Sequence, residues 1–170
     1  GEAGWRKGTD LFLQVAASIR SRHDARFVWV GRRTRSWTRW LDHERRLLGL
    51  DAAVTFTGLV PDAVDHLAAG DLLLHTSRED PNPLVPLEAG LLGVPTVGFH
   101  VGGVADLARS GAAATAPYPD VDAVARLAER LLADPEERTG LAAHAEDLVH
   151  REHRPEALAR RLVAEVELLV

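Results

Sequence analysis

Cysteine and methionine are absent from the sequence, and no apolar run approaches the roughly 18 residues of a membrane span. Without cysteine the chain forms no disulfide and performs no thiol chemistry, so we expect a cytoplasmic location. The lack of a long apolar run predicts that the chain has no membrane span. The first residues show no signal-peptide pattern. Because even an initiating methionine is lacking, we expect the 170 residues to be a domain of a longer protein.

Two common nucleotide-binding motifs are missing as well. The glycines at positions 1, 4 and 8 do not form the G-x-G-x-x-G motif, which disfavours a dinucleotide-dependent oxidoreductase. No Walker A motif is present, because Lys7 precedes Gly8 instead of following it. The eight histidines show no metal-ligand spacing, so we expect no metal site. A net charge of −5 gives no general attraction to nucleic acid.

Short apolar runs and helical patterns alternate along the chain, which is long enough for one domain over residues 1–170. Strands are predicted at residues 27–30, 54–57, 72–75 and 96–99. Helices are predicted at residues 9–21, 36–48, 61–69 and 120–133, around Glu88, and from Asp134-Pro135 and Arg154-Pro155 onward. This alternation indicates an α/β fold, a doubly wound parallel sheet of about five or six strands with helices on both faces.

Two carboxylates mark the most informative segment, residues 77–97. Asp80 lies in a loop after a predicted strand, and Glu88 follows one turn into a short helix with seven residues between the two. Helical side chains lean toward the N-terminus, so Glu88 leans back toward Asp80, and its small and apolar neighbours predict that it is not exposed. The helix N-terminus offers unpaired N–H groups that suit a phosphate. Two carboxylates beside a phosphate-binding helix N-terminus, at the carboxyl ends of strands, indicate a sugar-nucleotide site.

Four segments occur in the order typical of one family. They are Lys7-Gly8-Thr9-Asp10, residues 54–58, the carboxylate segment and residues 102–106. In this order they resemble the C-terminal domain of family 4 glycosyltransferases, retaining enzymes of the GT-B fold with two Rossmann-like domains. The resemblance implies a domain that binds a nucleotide diphosphate sugar, UDP- or GDP-linked, without metal or other cofactor. It also implies that an N-terminal acceptor domain is missing, so we expect the isolated chain to bind donor weakly and transfer nothing.

The resemblance assigns roles to individual residues. Glu88 matches the glutamate that holds the ribose hydroxyls, and Asp80 stands where the family has a glutamate that touches the hexose. Lys7 matches the lysine that pairs with the diphosphate, while Leu84 and Val85 match positions whose backbone N–H groups face the phosphates. A lysine beside the diphosphate would stabilise the leaving group.

Further positions carry weaker implications. By the resemblance, Gly58 and Leu59 lie near the base and contact it through backbone groups. Gly102 and Gly103 either form a turn that opens a short helix or let the backbone approach the ligand. Asp106 is expected to be a surface acid.

The sequence also differs from the family at three places. Asp80 is one methylene shorter than glutamate. Glu2 replaces an arginine, for which Arg6 is the candidate substitute. Pro81-Asn82-Pro83 replaces a glycine-rich turn; Pro83 has no N–H to donate, whereas Asn82 has a side-chain donor.

His75 and an arginine cluster admit more than one interpretation. We expect His75, at a strand end, to be packed or hydrogen-bonded and not catalytic. The arginines surround Trp37 and Trp40 in one helical pattern, which favours a solvated helix with both tryptophans in the core. The alternatives are contact with an anionic surface, as in peripheral membrane association, or contact of Arg32 and Arg33 with the nucleotide.

Two functional hypotheses therefore stand foremost. The first is the donor-binding half of a retaining glycosyltransferase that moves a sugar to an acceptor hydroxyl. The second is a non-catalytic nucleotide-sugar-binding or regulatory domain, which Glu2 and Pro83 favour. A sugar-nucleotide epimerase is disfavoured, because the carboxylate pair matches transferases more closely.

Overall fold

The computed structural model describes residues 1–153 and, beyond them, residues 159–160, 163–164 and 167. The strands in this part of the chain are β1 Phe27–Val30, β2 Val54–Gly58, β3 Leu73–His75, β4 Thr96–Phe99 and β5 Ala113–Ala116. The helices are α1 Thr9–Arg20, α2 Arg35–Leu47, α3 Ala63–Ala68, α4 Leu84–Leu91, α5 Gly102–Arg109, α6 Val121–Ala133 and α7 Pro135–Glu152. The last predicted helix begins at Arg154-Pro155, outside the described residues.

The ladders between these strands are all parallel, whereas an isolated antiparallel bridge joins Gly31 to Gly58. β1 pairs with β2, and β3, β4 and β5 form a second ladder in that order. The alternation of strands and helices confirms the predicted α/β fold, and the four predicted strands are present. β5 was not predicted: its alanine-rich sequence has little intrinsic strand preference, and it becomes a strand through pairing with β4.

Apolar side chains cover the strands on both faces. The larger core joins α1 and α6 to the strands, with Leu13, Val97 and Leu131 almost fully buried. A smaller core joins α5, α7 and part of α4. β5 shows why two cores form, since Ala113 contributes to the smaller core whereas Ala114 and Ala116 face the larger one. This is the period of two expected for a strand buried on both faces.

Helix caps fix two of the predicted boundaries. The Asp120 carboxylate accepts the N–H of Ala123 at 2.8 Å and begins α6. Asp134 accepts the N–H groups of Glu136 and Glu137 at 3.0 Å each, with Pro135 in the first turn of α7. Each cap satisfies N–H groups that have no partner within the helix.

Helix α2 departs from the prediction that both of its tryptophans lie in the core. Leu41 is fully buried and Trp37 packs against the core, but Trp40 is 42% exposed and stacks edge-to-face on Trp37. The buried stripe of α2 is narrow, because residues 37 and 41 lie on it and residue 40 is turned away by the helical period. For Trp40 the core prediction is wrong.

Candidate functional site

Two segments distant in sequence meet at the carboxyl end of β3. The N-terminal segment carries Lys7, and the loop after β3 carries Asp80. The Thr76 hydroxyl donates to the Gly8 carbonyl at 3.0 Å. Gly8 has φ 63°, and a Cβ there would lie 1.9 Å from the Thr76 carbonyl oxygen. Only glycine allows this approach, which holds Lys7 against the loop.

Lys7, Asp80 and His75 form a connected polar cluster. The Lys7 ammonium donates to Oδ2 of Asp80 at 2.5 Å, and Nε2 of His75 lies 3.3 Å from the same oxygen. Nη1 of Arg6 lies 4.0 Å from Oδ1 of Asp80 and donates to the carbonyl of Glu79 at 3.1 Å. Two cationic side chains therefore converge on one carboxylate that is 7% exposed.

The environment acts in opposite ways on the two buried titratable groups of this cluster. Burial opposes the charge of Asp80, but the hydrogen bond and charge of Lys7 hold the pKa of that carboxyl below its ordinary value. Burial lowers the pKa of His75, and Asp80 offsets only part of this effect. The Nδ1 atom of His75 is buried and has no hydrogen-bond partner in the described part of the chain. His75 is thus a buried neutral residue that contacts Asp80.

Arg78 also joins these two segments, although no sequence motif indicates this role. Its guanidinium donates to the two carboxylate oxygens of Asp10 at 2.7 and 2.5 Å and to the carbonyl of Trp5 at 2.8 Å. It also lies over the Trp5 ring, 5.1 Å from the centroid. The backbone N–H of Arg78 donates to the carbonyl of Arg6 at 2.9 Å. No local pattern signals a pair 68 residues apart.

The N-terminus of α4 offers backbone donors as predicted from sequence. Its cap residue is Pro83, and no side chain caps the helix. Leu84 and Val85 form the first turn and are exposed, and Pro86 has no N–H of its own. Asn82, just before the helix, is exposed and has no hydrogen bond with any other described residue. The free donors at this end of α4 are therefore those of residues 84 and 85.

The structure overturns the prediction that Glu88 is not exposed. The buried face of α4 consists of Pro86, Ala89 and Gly90, and Glu88 lies on the opposite, exposed face with Leu84. Gly90 sets this orientation, because a Cβ there would lie 3.3 Å from backbone and side-chain atoms of Ala145 in α7. The small neighbours of Glu88 thus pack against α7 and leave the carboxylate in solvent.

Glu88 nevertheless lies on the same side of the domain as Lys7. A Cβ at Gly1 would lie 3.7 Å from Cε of Lys7, and the Glu88 carboxylate interacts electrostatically with the nitrogen of Gly1. Both side chains therefore lie near Gly1.

Gly102 and Gly103 have a packing role that needs no ligand. The N–H of Gly103 donates to the Asp80 carbonyl at 3.0 Å, so it is already engaged. Gly102 has φ 53°, and a Cβ there would lie 2.1 Å from the Asp80 carbonyl oxygen. A Cβ on Gly103 would meet Pro83 Cδ at 2.7 Å and the Pro81 carbonyl oxygen at 2.9 Å. These glycines let α5 press against the loop that carries Asp80.

The remaining predicted contacts lie around the ends of β1 and β2. Gly58 has φ 73° and Leu59 is 78% exposed at the carboxyl end of β2. Arg32 pairs with Glu2 at 2.5 Å, and Arg33 pairs with Asp42 at 2.7 Å. Both arginines are therefore engaged by the protein itself.

Three further expectations from the sequence concern Asp106, a metal site and a membrane span. Asp106 pairs with Arg109 on the surface, which confirms it as a surface acid. Among the described residues, no group of three or more histidine, aspartate or glutamate side chains could hold a metal ion. None of the helices in that part of the chain combines the length and apolar composition needed to cross a bilayer.

A family model described as Glycosyl transferases group 1 matches residues 1–134. The chain belongs to this family. The matched residues include both segments that meet at Asp80, together with α4 and α5. The predicted resemblance to glycosyltransferases is thereby confirmed, and the narrower assignment to family 4 stays a prediction.

Two curated relatives match this group 1 domain over most of its length. It is 29% identical over 147 residues, 86% of the chain, to the N-acetyl-alpha-D-glucosaminyl L-malate synthase of Bacillus anthracis. It is 28% identical over 177 residues, 100% of the chain, to the lipopolysaccharide core biosynthesis mannosyltransferase LpsB of Rhizobium meliloti (strain 1021). The chain spans only 38% and 50% of these two proteins.

Solved structures show the same fold. Anabaena Alr3699/HepE in complex with UDP superposes with a TM-score of 0.84 at 22% identity, covering 100% of this chain and 47% of that one. The C-terminal domain of a group 1 glycosyl transferase, LpcC from Francisella tularensis, gives 0.81 at 20% identity, covering 91% of this chain and 84% of that domain. The fold is that of the C-terminal domain of GT-B glycosyltransferases.

Proposed function

We propose that the chain is the donor-binding half of a retaining glycosyltransferase that uses a nucleotide diphosphate sugar. The observation that carries this proposal is the position of Lys7, held by Asp80 at the carboxyl end of β3. Ligands of doubly wound sheets bind at such ends. The uncapped first turn of α4 supplies backbone donors at the same edge. The complexes of the structural relative HepE with UDP and UDP-glucose support this class of ligand.

In the proposed reaction the bond between the anomeric carbon and the diphosphate oxygen breaks, and its electron pair stays on the diphosphate. The acceptor oxygen bonds to the anomeric carbon on the same face, and the acceptor proton leaves with the diphosphate. Lys7, assisted by Arg6 and the N–H groups of Leu84 and Val85, stabilises the charge that develops on the leaving group. These positively charged and N–H groups stabilise the leaving diphosphate without a metal ion, so we propose a metal-independent transfer.

The carboxylates have separate parts in this proposal. Oδ2 of Asp80 faces Lys7 and His75, whereas Oδ1 accepts no hydrogen bond from the described residues and is assigned to a sugar hydroxyl. Glu88 is exposed on α4 and reaches outward to hold the ribose hydroxyls. The acceptor site belongs to a second domain, so we propose that this chain alone binds the donor and transfers no sugar.

A non-catalytic nucleotide-sugar-binding or regulatory domain is the second candidate. Asp80 already neutralises Lys7, and Glu2 occupies Arg32, so both cations are engaged within the protein. A domain of this kind would still bind a nucleotide through α4 and Glu88. Its Lys7 would no longer bind the diphosphate.

Calorimetric titration of this chain with UDP, GDP, ADP and TDP tests the proposal. We expect one diphosphate to bind, with affinity reduced about tenfold or more in both Lys7→Ala and Glu88→Ala, since each loses a charged contact to the ligand. EDTA should change nothing. Glu129→Ala, on α6, is the control for Glu88→Ala. Binding that depends on Glu88 alone would favour the second candidate, and no binding of any diphosphate would contradict both.

A further inference from the structure

Helix α2 presents an exposed face that the site does not use. The exposed residues of this helix include no acid: they are Arg35, Ser36, Arg39, Trp40, His43, Arg46 and Leu47. With 3.6 residues per turn, Arg35, Arg39 and Arg46 form one row along the helix. Trp40 and Leu47 form a second, parallel row beside it. The face is therefore banded, cationic along one edge and apolar along the other.

The arginine row is not neutralised within the described part of the chain. Arg35, Arg39 and Arg46 form no ion pair there, although Arg46 donates from Nε to the Asp42 carbonyl at 3.1 Å. Asp42 lies beside this row on the helix, but its carboxylate pairs with Arg33 at 2.7 Å.

An open groove accompanies the arginine row. It measures about 470 Å³, and the described residues that line it are Arg35, Thr38 and Arg39. The two guanidinium groups are suited to a phosphate ester, whereas the Thr38 hydroxyl already donates to the Thr34 carbonyl at 2.9 Å.

The side chains of the apolar row are exposed to solvent. Trp40 is 42% exposed and Leu47 is 68% exposed, whereas Leu41 on the opposite face of the same helix is fully buried. Among the residues that the structure describes, Arg35 and Arg39 have no ion-pair partner, unlike Arg32 and Arg33. The helix thus keeps one face for the core and leaves an aromatic, an aliphatic and three cationic side chains available together.

We propose that this face of α2 docks on an anionic lipid surface. Arginines at such a surface pair with lipid phosphates, and tryptophan is favoured at the boundary between headgroups and acyl chains. The row of Trp40 and Leu47 distinguishes a bilayer from a free phosphate, because a free phosphate offers nothing for exposed apolar side chains to enter. A net charge of −5 makes the attraction local to this face and not a property of the whole chain. The proposal does not depend on the nucleotide site.

Vesicle sedimentation tests the proposal with this chain, since a comparable C-terminal domain has been crystallised by itself. The vesicles contain phosphatidylcholine alone or phosphatidylcholine with an equal amount of phosphatidylglycerol, at low ionic strength. We expect binding to the anionic vesicles only, reduced at least about tenfold in Arg35→Glu/Arg39→Glu. Arg126→Glu/Arg130→Glu on α6 makes the same change in net charge away from this face and should bind as the parent does. Circular dichroism establishes that each variant is folded.

Brominated lipids test whether the apolar row enters the bilayer. They should quench the tryptophan fluorescence of the bound chain, and Trp40→Phe should remove most of the quenching while Trp5→Phe leaves it. The proposal is overturned if anionic vesicles do not bind, if both arginine variants bind equally, or if bound protein shows no Trp40 quenching. Binding of single-stranded RNA in place of vesicles would likewise overturn it and assign the face to nucleic acid.

Discussion

The Lys7 ammonium lies 2.5 Å from Oδ2 of Asp80 and joins two segments 73 residues apart in the chain. Lys7 is also the only lysine in the sequence. Asp80 therefore does two things at once: it fixes the position of Lys7 and neutralises its charge. A diphosphate that binds here must share Lys7 with Asp80, so the pair links stability and ligand binding in one contact.

Asp80→Asn should separate these two effects. The amide keeps the shape but removes the charge, so we expect the free energy of unfolding to fall by about 1–3 kcal/mol. Diphosphate binding should persist because Lys7 is released. Urea denaturation and calorimetry measure the two quantities. Asp106→Asn, in an exposed ion pair, is the matched control and should change stability by less than about 0.5 kcal/mol. An Asp80→Asn variant as stable as the parent would show that the pair is not a structural contact.

His75 should make stability depend on pH near neutrality. Burial lowers its pKa from 6.5, so the unfolded chain binds a proton at a pH where the folded chain does not. Stability from this group is full above the unfolded pKa and is lost as the pH falls through the lower, folded pKa. We therefore expect urea midpoints to decline as the pH falls below about 7. The decline should be smaller in His75→Gln and unchanged in His43→Gln, at an exposed position. Equal slopes in all three proteins would refute this account of His75.

Arg78→Lys should disturb the site from outside it. Lysine keeps the charge but cannot donate to both oxygens of Asp10 and to Trp5 together, so we expect a loss of about 2 kcal/mol in stability. Diphosphate affinity should also fall, because the N-terminal segment that carries Lys7 is less well held. Arg109→Lys, at an exposed pair, supplies the control. If Arg78→Lys lowers stability and leaves affinity intact, Arg78 supports the fold without positioning Lys7.

Gly103→Ala and Gly140→Ala should change stability in opposite directions. At Gly103 a Cβ would lie 2.7 Å from Pro83 Cδ and 2.9 Å from the Pro81 carbonyl oxygen, so the loop must shift. We expect a loss of about 1–3 kcal/mol. Gly140 lies in α7 with nothing within 4 Å of its Cβ position, so alanine should add up to about 1 kcal/mol through helix propensity. Thermal unfolding measures both, and a neutral Gly103→Ala would contradict the close packing of α5 on the Asp80 loop.

Local patterns predicted much of this fold, and contacts between distant segments supplied the rest. Apolar runs placed β1 to β4, and the aspartate before Pro135 placed the start of α7. β5 was not predicted, because alanine has a low strand propensity and the strand conformation depends on pairing with β4.

The candidate site likewise has features that the sequence predicted and contacts that it did not. The spacing of Asp80 and Glu88 was visible in sequence, but not the contact of His75 with Asp80 or the pair of Arg78 with Asp10. The exposure of Glu88 was predicted wrongly, because the small residues beside it in sequence pack against α7 and leave its carboxylate in solvent.

The rate at which an acylating reagent modifies Lys7 tests the central claim most directly. With one lysine in the chain, mass spectrometry of a single peptide reports the ε-amine alone. We predict that one of UDP, GDP, ADP and TDP slows modification about tenfold at about ten times its Kd, and that the matching monophosphate protects less. Modification of Lys7 at the same rate with and without all four diphosphates would contradict the assignment of Lys7 to the donor diphosphate.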